Sequence, residues 1–130
     1  MMNQVVARAW NQRVGGLVGQ CDRGSAAPAQ LLRDLHEILA TGPARICTPI
    51  RPDISRSSLQ LLLDAGAYES AALRLLANCG YMLSRGGEGP FIASVVIPAA
   101  GRDCSFSGHS AEVALCGALA LSLQECLAIE

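Results

Sequence analysis

The chain reads as a small α/β protein of the α+β type, with an antiparallel sheet of three or four strands between helical layers. Three observations predict it. Apolar residues recur at helical spacing up to Gly80 and switch to an extended period after it. Short turns, "GGEGP" and "AAGRD", separate the extended runs, which makes them an antiparallel meander. The middle run, residues 91–98 ("FIASVVIP"), is apolar on both sides: Phe91, Ala93, Val95 and Ile97 point one way, Ile92, Val96 and Pro98 the other. A strand apolar on both faces belongs between two covers, so the sandwich is preferred to a two-layer fold with one open face.

Taken in order, residues 1–28 are the least determined. "NQVVARAW" suits a short helix or a strand, "GGLVGQ" suggests a Gly-rich turn, and "DRGSAAP" reads as a loop. This segment is expected to be loosely packed, to contact a partner, to complete the sheet as a fourth strand, or to cover one face as a helix. A helix follows near 29–40, with Leu31, Leu32, Leu35, Ile38 and Leu39 on one face, Pro28 in its first turn and Gly42-Pro43 stopping it. "ARICTPIRPD" is expected to be extended, because Pro49 and Pro52 oppose a helix. Helices near 56–65 and 67–78 come next, the first capped by Asp53 or Ser55 and ended by Gly66. The strands are 81–85, 91–98 and 103–107, and the last helix spans 110–127. The whole length, 130 residues, fits a single domain.

Composition excludes several classes. Half the residues are apolar and the formal net charge is −1, which removes a disordered chain. All ten basic residues are Arg, but they are scattered and balanced by eleven acids, so nucleic acid is not the expected partner. A nucleic-acid surface would need several of Arg8, Arg13, Arg45, Arg51, Arg56 and Arg74 on one face. The start lacks a secretory apolar core, and the apolar stretch 113–121 is too short to span a bilayer, so no membrane is expected and the cytoplasm is the expected setting. The six cysteines have irregular spacings without a CxxC pair and read as reduced packing residues. His36 and His109 are far apart without paired Cys, so no metal site is expected. "GGLVGQ" lacks the Lys-Ser/Thr of a phosphate loop, and no cofactor is expected.

The stretch "CSFSGHSAE" is the candidate site. A helix N-terminus offers free N–H groups and a positive dipole end. Gly108 would let a ligand approach the backbone, Ser107 and Ser110 would donate hydroxyls, His109 would act as general base, and Cys104 would be a nucleophile if its thiol were activated. That pattern fits a small hydrolase or an anion-binding protein. A plain strand-to-helix junction explains the same residues: Ser110 or His109 caps the helix, Gly108 permits the turn, and Glu112 already answers the dipole. There is no G-x-S-x-G elbow and no third member for a triad. The simpler reading is preferred, with a non-enzymatic structural or protein-interaction domain as the expected function. The last helix carries a second stripe, Ala114, Ala118, Leu121 and Glu125, whose small residues would let a partner or the N-terminal segment approach closely. A homo-oligomer or another protein partner through Ala114, Ala118 and Leu121, or cover by the N-terminal segment, is the expectation.

The order helix, strand, turn, strand, final helix, with the last helix entered through "SAEVALCGALAL", resembles the phage ABA-sandwich domains over roughly residues 59–127. The resemblance implies an αβα fold and a phage or prophage origin. It implies no activity and no catalytic residues, and the N-terminal half departs from it by adding a helix and a Pro-rich connection.

Overall fold

Trp10, Val14, Leu17 and Cys21 repeat at the spacing of one helical face, and all four are buried. They hold together the first element, α1 (Gln4–Arg23), which runs unbroken through Gly15, Gly16 and Gly19. The expected Gly-rich turn is therefore helix, and the expected loose segment is packed. The indole Nε1 of Trp10 donates to the Ile38 carbonyl at 2.8 Å, which fastens α1 to the next helix. The computed structural model describes residues 4–23 and 27–128, so the remainder of segment 1–28 and the "DRGSAAP" loop lie partly outside the described residues.

Next comes α2 (Pro28–Thr41), as its periodicity predicts, burying Leu31, Leu32, Leu35, Ile38 and Leu39. In "ARICTPIRPD", Arg51 is extended but residues 44–50 are not. They form α3 (Ala44–Cys47) and a turn of 3-10 helix, Thr48–Ile50. Pro49 stands in the first turn of that short helix, where a missing N–H costs nothing. The deciding force is burial: Ile46, Cys47 and Ile50, at helical spacing, are fully enclosed. Ser55 caps α4 (Arg56–Asp64) by accepting from the Ser58 N–H at 3.1 Å. Then α5 (Tyr68–Leu75) leads into the sheet.

Three antiparallel strands, β1 (Gly80–Arg85), β2 (Phe91–Val96) and β3 (Asp103–Gly108), pair in the order β1-β2-β3. The α+β class and the meander are as the sequence predicts. No fourth strand occurs among the described residues, because the N-terminal segment is helical. In register, Leu83, Ala93 and Phe106 share a rung facing inward; Met82, Ser94 and Ser105 share one facing outward.

The chain closes with α6 (Ala111–Ala128), and this helix decides the architecture. Every residue from 113 to 120 is buried. A helix apolar all round needs cover on all sides. The sheet supplies one side, and α1 with α5 and α2 supplies the other. The Ala114/Ala118 stripe faces the sheet rather than a partner: Ser122 Oγ donates to the Val95 carbonyl at 3.2 Å, and Arg102 beside β3 pairs with Glu125. Ala114 and Ala118 are fully buried and Leu121 half-buried, so this stripe cannot serve as the expected homo-oligomer contact. Its small residues let the chain's own sheet lie close. Gly117 belongs to the same surface: a Cβ there would enter the Phe106 ring.

The consequence is a sheet covered on one face only. Ala93, Val95 and Ile97 are buried against α6, whereas Met82, Ile92 and Val96 on the outer face are 73%, 47% and 42% exposed. The expectation of helical layers on both faces is corrected: the helices are spent on α6, which has more apolar surface to hide than the outer side of β2. Ser94 and Ser105, joined by a 2.7 Å hydroxyl hydrogen bond, make the middle of that outer face polar.

Candidate functional site

Alternation along β3 sorts the candidate residues. Cys104 and Phe106 face inward toward α6, and Ser105 and Ser107 face outward. Cys104 therefore lies on the opposite side of the sheet from Ser107 and cannot share a catalytic constellation with it. Gly108 is buried, and a Cβ there would sit 2.8 Å from the Ala114 nitrogen. Its lack of a side chain is used in bringing the strand end against α6. Ser110 caps α6: its Oγ accepts from the Val113 N–H at 3.3 Å, and its carbonyl from the Ala114 N–H at 3.1 Å. Glu112 occupies the first turn, where its carboxylate complements the dipole.

Ser107 and His109 remain. Both are exposed, and no hydrogen bond joins them. They line an open cleft of about 360 Å³ whose other wall is the β1–β2 hairpin: Arg85, Glu88, Gly89 and Pro90. Arg85 is the residue that sequence reasoning missed. Its position is visible only through the register, which puts Arg85, Phe91 and Gly108 on one rung. Arg85 Nε donates to the Gly89 carbonyl at 3.2 Å, and its guanidinium lies 4.9 Å over the Phe91 ring. The cleft thus gathers one cation, one imidazole and one hydroxyl, with the Glu88 carboxylate among them. It has neither a base hydrogen-bonded to a nucleophile nor a group that orients the base, which nucleophilic catalysis requires.

Elsewhere several polar groups are committed to structure, although Gln20 Oε1 is buried without a hydrogen-bond partner among the described residues. His36 Nε2 meets the Ile54 carbonyl at 3.0 Å. Arg13 pairs with Glu37 at 3.3 Å, Arg51 donates to the Leu39 carbonyl and Arg74 to the Asp53 carbonyl. A smaller cavity of about 240 Å³ lies between α1 and α2, lined by Arg13, Gly16, Leu17, Gln20, Asp34 and Ile38. Burial pushes the Cys21 and Cys79 thiols up to about 12 and Cys47 to about 11, which leaves them protonated and unreactive at neutral pH. Among the described residues, no three His, Cys, Asp or Glu side chains gather as metal ligands. No described helix is long and apolar enough to cross a membrane. Comparison with family models, curated proteins and solved structures finds no match to this chain.

Proposed function

We propose that the protein is a small non-enzymatic domain that acts through protein contacts, with the phage or prophage origin that the resemblance of its C-terminal part implies. One observation carries the reading: the outer face of the sheet leaves Met82, Ile92 and Val96 exposed together, while the junction's Gly108, Ser110 and Glu112 are employed in building α6. Exposed apolar side chains grouped on a regular face are the feature by which contact surfaces are recognised.

The second reading is anion binding in the junction cleft, favoured by the approach of Arg85 to the wall formed by Ser107 and His109. Glu88 and Glu112 oppose it by repelling an incoming negative charge. Thermal unfolding with inorganic phosphate separates the two. The contact reading expects phosphate to shift the unfolding temperature of the native chain and of His109→Ala equally. A rise that His109→Ala abolishes would replace it with the anion reading.

A further inference from the structure

We infer that the cleft between α2 and α4 binds the phosphate group of a small molecule, a monoester whose dianion is held between Arg33 and Arg56. The cleft has a volume of about 320 Å³ and is walled by Gln30, Arg33 and His36 of α2 and by Arg56 and Gln60 of α4. Neither wall belongs to the sheet, so the site is separate from the contact surface proposed above.

Two guanidinium groups line one cavity, and neither pairs with a carboxylate among the described residues. Like charges gathered in one cleft repel each other, and a counter-ion between them relieves the repulsion. Arg33 is held rather than neutralised. Its Nη1 donates to Gln60 Oε1 at 3.1 Å and its Nη2 to Gln30 Oε1 at 3.3 Å. Gln60 Nε2 donates onward to Asp64 at 2.7 Å, and Gln30 Nε2 to Asp34 at 2.8 Å. A guanidinium only donates and a carboxylate only accepts, so each amide is fixed in one orientation. Two carboxylates thus steady Arg33 through neutral spacers, while its charge and its remaining N–H groups stay available.

Arg56 supplies the second charge at an unfavourable place. It opens α4, where the helix dipole favours a carboxylate, and the first turn of α4 has no acidic residue. Its exposed guanidinium has no partner among the described residues. An anion in the cleft meets both this cation and the positive end of the helix. The acids on the cleft wall are engaged elsewhere, Asp34 with Gln30 and Glu37 with Arg13 at 3.3 Å. His36 donates from Nε2 to the Ile54 carbonyl at 3.0 Å, which anchors its ring in the wall. Two cations suit a doubly charged oxyanion better than a single carboxylate, and guanidinium forks match the oxygens of phosphate. The volume falls within the range of small-molecule sites, which favours a monoester over the bare ion.

Titration of the full chain, followed by proton–nitrogen correlation NMR at fixed pH and ionic strength, tests the site with inorganic phosphate, methyl phosphate and acetate. The expected result is saturable binding of both phosphates within about 20 mM, with acetate at least about tenfold weaker. The shifts should centre on Arg33, Arg56 and Gln60. Arg56→Gln, at an exposed position, should weaken phosphate binding at least about tenfold, and Arg33→Gln is the second variant with the same expectation. Arg8→Gln, at an exposed arginine of α1, should leave the affinity within about twofold. Absence of saturable binding, or binding insensitive to both Arg33→Gln and Arg56→Gln, overturns the inference. So does equal weakening by Arg8→Gln, or acetate bound as tightly as phosphate. Exclusion of methyl phosphate from a site that takes inorganic phosphate overturns the monoester assignment. None of these results touches the contact reading. Shifts confined to the β1–β2 hairpin and His109, and lost in His109→Ala, would place the anion in the junction cleft and overturn both.

Discussion

The cysteines show how a residue's surroundings set its chemistry. Cys21 and Cys47 are buried and Cys79 half-buried; removal from water disfavours the thiolate and raises all three above the ordinary value of 9.0. Arg51 offsets part of the effect at Cys47, and Cys47 adds to it at Cys79. The folded state therefore holds these protons more tightly than the unfolded chain. That contribution to stability is complete below about 9 and is lost as pH climbs through about 11 to 12. Urea unfolding at increasing alkaline pH should show a falling midpoint, and Cys47→Ala should make the fall shallower. A midpoint independent of pH above 9 would contradict the burial of these thiols. Burial of Cys21, Cys47, Cys116 and Cys126 was legible from residue type alone, whereas the place of Arg85 in the cleft with His109 was not: it depends on strand register, which no local pattern encodes.

At the scale of the element, two glycines in helices should respond in opposite directions. Gly16 lies on an exposed turn of α1, where an added Cβ meets nothing within 4 Å. Gly16→Ala should raise stability by up to about 1 kcal/mol through helix propensity. Gly117 presses against Phe106, so Gly117→Ala should lower stability by about 1–3 kcal/mol through overpacking. Equilibrium unfolding of the two variants side by side checks both signs. The same contrast explains what the sequence conveyed. The helices from 28–41, 56–64 and 68–75 and all three strands were readable, since their apolar spacing and turn residues are local signals. The N-terminal helix was obscured because its glycines imitate a turn, while the decisive Trp10, Val14, Leu17 and Cys21 repeat finds its purpose only in contact with α2 and α6. The "ARICTPIRPD" segment was misread for the converse reason: proline was weighed as a helix breaker, although Pro49 occupies a first turn that accepts it.

For the whole molecule, one helix determines the distribution of cover. Because α6 is apolar on every side, the chain encloses it between its sheet and α1, and the second face of the sheet is left to solvent. The sequence showed that β2 was apolar on both sides but could not rank its outer side against the larger demand of α6. The Ala114/Ala118 stripe, expected to face a partner, is consumed in the same enclosure. Surface available for contact is thereby moved from the helix to the sheet's outer face. Val95→Thr and Ile92→Thr, both preserving β-branching on opposite sides of the same strand, test this arrangement most directly when compared by urea unfolding. Val95→Thr, which places a hydroxyl in the core, should cost about 1–3 kcal/mol, and Ile92→Thr should change stability by less than about 1 kcal/mol. Equal losses of several kcal/mol at both positions would mean that a second layer covers the sheet, and would contradict the account.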